Sequence, residues 1–508
     1  MHRRRFMTLA GSAALAATCP ALTRRALAAE SPPAAAPDLD ITLTARPDRL
    51  PILPGAPTGV WRYEGRVESG DPAALVNIGG YLGPMIRVRR GQRIRVRFVN
   101  DIPQPSIIHW HGLHVPPEDD GHPRFAVDRG GEYIYDFTVN NRAGTYWFHP
   151  HPHGLTGNQV YGGMAGLFIV EDDEEQALDL PSGEHDLPLV IQDRTFGPDN
   201  DLVYLRSPMD RINGFLGDRI LINASADRSV PVSSRPHRVR ALNACNSRTL
   251  RLAFSDGRPL TIIGTDGGLL ERPLVVPDIM LGPAERADLW VDFSGMKQGE
   301  RVSLVSAPFD SGATGMMMGG MMGGGSRLPE GSQYSLAEFR VEREEVGGMP
   351  LPERLSDIEY LEPADAVNAR RPKRFVLEVR HMNVTIDGRT FEMTETAPDE
   401  RVRLGDTEIW EFVNAGGRMG GMGRGMMGGM QMAHPMHVHG LSFQVVERSG
   451  GPGYRHLDEG WKDSVLVMPG ERVAVIMRFT DYEGLYLYHC HNLEHEDLGM
   501  MRNYLVRA

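Results

Sequence analysis

The sequence predicts an all-β protein of three consecutive β-sandwich domains, and three observations carry that expectation. A chain of 508 residues exceeds what one core organises and points to about three domains of roughly 150 residues each. Its 58 Gly, 37 Pro and 41% hydrophobic content describe a turn-rich chain of many short strands. One strand-turn-strand pattern also recurs along its length.

The pattern is clearest in residues 85–100. Met85-Ile86-Arg87-Val88-Arg89-Arg90-Gly91-Gln92-Arg93-Ile94-Arg95-Val96-Arg97-Phe98-Val99-Asn100 alternates apolar and charged side chains around a Gly turn, as half-buried antiparallel strands do. Residues 401–414 repeat it around Gly405, and middle copies lie in 238–254 and 282–293. The first and third copies share their ends as well. Gly144-Thr145-Tyr146-Trp147-Phe148-His149-Pro150-His151 matches Gly484-Leu485-Tyr486-Leu487-Tyr488-His489-Cys490-His491, each with a Gly five residues before a His-x-His. The domains are therefore expected near 38–172, 183–343 and 372–508, with the acidic run 171–175 and the Pro- and Glu-rich stretch 344–371 as linkers.

Residues 1–28 read as a targeting segment. Arg3-Arg4-Arg5-Phe6-Met7 is a twin-arginine pattern, 8–22 is small and apolar, and Ala26-Leu27-Ala28 offers a small-x-small cleavage site. The expected destination is a bacterial periplasm, reached already folded. No later stretch is long and apolar enough to span a bilayer. Removing 1–28 leaves 49 basic residues against 66 acidic ones, a net charge near −17 that argues against a nucleic-acid partner. Cys19 leaves with that segment. Cys245 and Cys490 then fall in different domains and are not expected to pair.

Ten of the 18 His fall into four clusters: His109/His111, His149/His151, His434/His437/His439 and His489/His491/His495. On a strand, residues i and i+2 share a face, about 6.6 Å apart along the axis. That separation suits two imidazoles reaching two neighbouring ions better than one chelated ion. Four His-x-His pairs supply eight nitrogens, and imidazole without carboxylate at matching spacing suits copper. Cys490, between His489 and His491, points to the opposite face. With His434, His495 and the thioether of Met500 it completes the donor set of a blue-copper electron-transfer site.

At these residues the sequence resembles the multicopper oxidase family, most closely its bacterial copper-efflux oxidase and laccase branch. The motifs stand as His109-Trp110-His111-Gly112, Trp147-Phe148-His149-Pro150-His151, His434-Pro435-Met436-His437-Val438-His439-Gly440, and His489-Cys490-His491 followed by His495 and Met500. The segment from Gly264-Thr265-Asp266-Gly267-Gly268 to Phe293 looks like the family's ligand-free middle domain, so the resemblance spans the chain beyond its leader. It implies three cupredoxin-like Greek-key sandwiches and four copper ions. His434, Cys490, His495 and Met500 would hold type 1. His109 and His437 would hold type 2. The type 3 pair would take His111, His149 and His491 on one ion and His151, His439 and His489 on the other. Copper-free relatives used in cell division are disfavoured, since every ligand position is filled.

The resemblance implies four-electron reduction of dioxygen to water, driven by one-electron oxidation of a reductant. Asp120 and Glu496 match family positions implicated in proton relay, while Asp463 in Trp461-Lys462-Asp463 recurs in relatives near the type 1 site. His114, His122, His153 and Cys245 read as structural or surface residues.

Twelve of the 26 Met lie in two Gly-rich runs. Met316, Met317, Met318, Met321 and Met322 form one. Met419, Met422, Met426, Met427, Met430, Met432 and Met436 form the other, which leads into His434. Thioethers prefer Cu(I), so Met426, Met427, Met430 and Met432 are candidates for a substrate-copper site and Cu(I) is the expected reductant. The 316–322 run has no tie in sequence to the type 1 site. The copper-efflux relatives share the enrichment but carry an acid where Met430 stands here. Laccase-like oxidation of phenols or other small organic reductants, or of other metal ions, is the alternative. The chain is expected to be a monomer.

Overall fold

A computed structural model describes residues 36–312, 326–348, 350–380, 383–415 and 432–508. The leader 1–28, the 316–322 run and Met419 to Met430 lie outside the described residues.

The described chain is almost all β, in six sheets. One arrangement recurs three times. Leu39–Leu50 pairs antiparallel with Thr58–Ser69 and parallel with Arg93–Asn100. Asp186–Arg194 does the same with Arg219–Ile222 and Pro236–Asn243. Lys373–Arg380 does it with Asn383–Ile386 and Thr407–Asn414. Each of these sheets faces a second one across a shared core. Ile86, Val88 and Phe168 of one sheet meet Ile94, Val96 and Phe98 of the other in the first sandwich. Leu252 and Leu304 meet Val239 and Leu289 in the second, and Val438 and Tyr488 meet Phe412 and Val475 in the third.

The alternating segments that announced the fold are not hairpins. Met85–Arg89 pairs in parallel with Gly166–Glu171 in one sheet, while Arg93–Asn100 belongs to the other. Arg401–Arg403 and Thr407–Asn414 divide likewise. Alternation reports that one face of each strand is buried, and both faces here line one core; the chain crosses between sheets through Gly91 and Gly405, each at φ +90°.

The expected linkers are docked rather than free. Glu175 pairs with Arg238 at 2.9 Å, and Leu355, Ser356 and Leu361 of the 344–371 stretch are buried. Among the described residues no helix is long and apolar enough to cross a membrane.

Candidate metal centre

Strand pairing in the first and third sandwiches sets the histidines face to face. Ile108–His111 pairs with Gly144–Pro150 so that His109 opposes His149. His434–Val438 pairs with Gly484–Cys490 so that His437 opposes His489 and Met436 opposes Cys490. Met436 is accordingly a buried core residue of the third sandwich, not part of a methionine loop. After the strand, the short helix Leu493–Asp497 carries His495 and Glu496, and the Asn492 side chain caps it by accepting from His495 N.

The eight imidazoles of the His-x-His pairs converge as three sets. His109 Nε2 lies 3.2 Å from His437 Nε2. His149 Nε2 lies 3.4 Å from both His111 Nδ1 and His491 Nε2. His489 Nε2 lies 3.0 Å from His439 Nε2 and 3.4 Å from His151 Nε2. All eight rings are buried.

Outward nitrogens in these rings donate to oxygen: His109 Nδ1 to Asp120 O at 2.6 Å, His437 Nδ1 to Asp463 O at 2.7 Å, His149 Nδ1 to Pro150 O at 2.9 Å, and His439 Nδ1 to Asp120 Oδ2 at 2.8 Å. A neutral imidazole carries one hydrogen, so each inward nitrogen of these rings is a bare lone pair. Burial, reinforced by neighbouring rings, holds His109, His111, His437, His439 and His491 well below the usual imidazole range, and His149 near 3. Neutral lone pairs aimed at one another across about 3 Å repel, and cations between them remove the repulsion. The donor set therefore fits copper.

On the opposite face of the Gly484–Cys490 strand, Cys490 Sγ lies 3.4 Å from His434 Nδ1 and 3.6 Å from His495 Nδ1. Met500 is buried in the same core cluster, and its backbone carbonyl accepts from Cys490 N at 3.0 Å. Burial pushes the Cys490 thiol up and holds His495 near 4, so the thiol would bind a metal only by giving its proton up to it.

Both relay candidates touch the rings. Asp120 contacts His439 as above and stands 3.6 Å from His109 Nδ1; burial, then Asp119, raises its carboxyl. Glu496 Oε2 lies 3.2 Å from His489 Nδ1 and Oε1 3.5 Å from His151 Nε2. Burial would raise Glu496, but His151 and His489 hold it below the ordinary range. Asp463 is not at the Cys490 site: its Oδ1 accepts from His111 Nε2 at 3.0 Å and its carbonyl from His437. Burial would raise that carboxyl too, and Arg286 holds it low.

The remaining residues flagged in the sequence are structural. His122 Nε2 bonds Asn503 Oδ1 at 3.0 Å, and His114 bridges Gly440 O and Asp481. The His153 ring lies tilted against Phe391, and Cys245 is a buried free thiol. Met432 is half-buried against the third core, and its carbonyl accepts from Asn414 Nδ2 at 2.7 Å. Phe309, upstream of the 316–322 run, and Ala433, the residue before His434, pack against one apolar cluster of Met280, Leu466 and Met468. Reading the sequence missed Arg286 and Ile212, which reach the site from the middle sandwich.

Two family models, each described as multicopper oxidase, match residues 63–175 and 366–508. A multicopper oxidase of Staphylococcus haemolyticus is 31% identical over 423 residues, covering 83% of this chain and 81% of its own. A laccase of Bacillus subtilis is 28% identical, covering 88% and 90%. The crystal structure of the McoA multicopper oxidase from Aquifex aeolicus superposes with a TM-score of 0.78 at 36% identity, covering 93% of this chain and 97% of that one. The chain belongs to the multicopper oxidases. It is a copper-dependent oxidoreductase that uses dioxygen and a reductant.

Proposed function

We propose that twelve side chains hold four copper ions and that the reductant is Cu(I), with a role in copper tolerance. His434, Cys490, His495 and Met500 form the type 1 set, His109 and His437 the type 2 set, and the two three-histidine sets the type 3 pair. Bound there, copper supplies one-electron acceptance at Cys490 and dioxygen reduction among the eight histidines. Cys490 is peptide-bonded to His489 and His491, which gives a covalent path between the two donor sets. Asp120 and Glu496, each against two cluster rings, deliver protons. The twin-arginine pattern in residues 1–28 supports a periplasmic location, and we assign the chain as a monomer.

The observation that carries the Cu(I) reading is a thioether beside the electron-input site. Met432 stands two residues before His434, half-buried against the third core, and Phe309, upstream of the other run, packs against the same apolar cluster as Ala433. Soft thioethers at the electron-input site favour Cu(I) over hard cations. Laccase-like oxidation of phenols is the second reading, supported by the laccase relative. Metal analysis with a visible spectrum tests the copper assignment, with about four ions and a blue thiolate band expected. Oxygen uptake driven by Cu(I) and lost on deleting 419–432 tests the substrate; uptake that survives the deletion returns the chain to the phenol reading.

A further inference from the structure

The middle sandwich supplies none of the twelve donor side chains, yet one of its arginines reaches the cluster. Arg286 is fully buried at the start of the Arg286–Asp292 strand. A guanidinium has five N–H donors in a fixed plane, and here each has its acceptor. Nε donates to Thr145 O at 2.9 Å, Nη1 to Ala284 O at 3.0 Å and Asp463 Oδ1 at 2.8 Å, and Nη2 to Asp266 O at 2.9 Å and to Asp463 Oδ2. The acceptors come from all three sandwiches. Thr145 lies on the strand that carries His149, Ala284 and Asp266 belong to the middle unit, and Asp463 lies beside the His434–Val438 strand.

The surroundings leave this pair one arrangement. Asp266 Oδ1 accepts from Arg286 N at 2.8 Å while its Oδ2 pairs with buried Lys462 at 2.9 Å. Gly112, directly after His111, sits at φ +87°, and a Cβ there would lie 2.3 Å from Asp463 Oδ2 and 2.9 Å from Arg286 Nη2. Only glycine accommodates the ion pair at that point.

The consequence falls on His111. Seven of the eight cluster rings turn Nε2 inward, and His111 alone turns Nδ1 inward, toward His149. That orientation requires its hydrogen on Nε2, where Asp463 Oδ1 accepts it at 3.0 Å and Ser464 Oγ lies at 3.1 Å. We infer that Arg286 is a positioning residue of the copper cluster: it fixes the Asp463 carboxylate, and the carboxylate fixes the His111 tautomer that presents Nδ1 to the ion shared with His149 and His491. The inference rests on the ligand assignment proposed above. Lysine cannot replace Arg286, because three tetrahedral donors cannot reproduce the planar fork on Asp463 while reaching Thr145, Ala284 and Asp266.

The test uses the copper-loaded full chain with Arg286→Lys, Asp463→Asn and the double variant. Copper per chain, the blue thiolate band, the spectroscopic signature of the cluster and chelator competition are measured together with the unfolding temperature. Partners of metal-bound histidines typically contribute about 10- to 100-fold in metal affinity. Each single variant should keep the blue band and lose cluster copper to a chelator about 10- to 100-fold more readily, and the double should be no worse than the worse single. A full copper complement with an unchanged cluster signature in both singles, even with a lowered unfolding temperature, would reduce Arg286 to a docking contact and overturn the inference. Should Arg286→Lys fail to fold, Asp463→Asn decides alone. A wild-type chain lacking cluster copper while blue would overturn the ligand assignment and the inference with it.

Discussion

His495 turns Nε2 to the carbonyl oxygen of Ile212, 2.9 Å away, so the middle sandwich closes the outer edge of this ring. Ile212 lies in the last turn of the short helix Pro208–Asn213 and is buried in the core of the third sandwich. Glu494 ties both ends of the segment down, Oε1 accepting from Tyr204 Oη at 2.7 Å and Oε2 from Phe215 N at 3.1 Å. Gly214, at φ +80°, lets the chain turn where a Cβ would lie 2.5 Å from Ser247 Cβ.

A bulky donor therefore cannot touch the His495 edge without displacing this segment. Replacing 208–213 with a Gly-Ser stretch of equal length should raise kcat/KM for a large phenol by about tenfold, the rate equivalent of about 1.4 kcal/mol of access penalty. A small inorganic one-electron donor should change little. Equal effects on both donors, read by steady-state kinetics, would mean that the segment does not gate by size.

Cys490→Ser should abolish the blue colour while leaving cluster copper bound. Cys490 Sγ lies against the His434 and His495 nitrogens, whereas the neighbouring His489 ring turns to the other face of the strand and meets His439 and His151 there. A spectrum with metal analysis checks this, and colour that survives the change would sink the assignment of Cys490.

Much of this site was legible in the sequence, because four His-x-His pairs and a Cys between two His have no economical explanation except metal on two faces of a strand. Pairing of His109 with His149 and of His437 with His489 turns that spacing into geometry. Arg286 and Ile212 left no such trace: each acts across more than 150 residues through a guanidinium or a backbone carbonyl, and neither follows a period. Asp463 was visible as a motif residue but expected at the Cys490 site, since sequence adjacency does not say toward which face a loop carboxylate turns. The alternation at 85–100 reported burial correctly and pairing incorrectly for the same reason.

Asp120→Asn and Glu496→Gln should slow reoxidation by dioxygen about 10²- to 10⁴-fold, the usual range for removing a positioned acid or base, while Cys490-site reduction keeps its rate. Both acids contact cluster rings, so the two half-reactions should separate in stopped-flow. Normal reoxidation in both variants would leave these acids without a role in proton delivery.

The methionine runs give the sharpest contrast between the two substrates. If thioethers of 419–432 gather Cu(I), deleting them should raise the Cu(I) concentration needed for half-maximal rate by about tenfold or more, because soft donors are lost from the path to His434. The 316–322 run looks dispensable from sequence alone, yet Phe309 upstream of it packs against the same apolar cluster as Ala433, the residue before His434, so deleting the run should weaken Cu(I) kinetics as well. Removing both runs should exceed either single deletion if they feed one site, and the phenol rate should hold or improve in all three variants, since no thioether is needed to oxidise a phenol. Cu(I)-driven oxygen uptake and phenol oxidation, measured on the same preparations, separate the cases. Equal losses of both activities would mean that the deletions damage the Cys490 site itself, and unchanged Cu(I) kinetics would assign the chain to the phenol-oxidising reading.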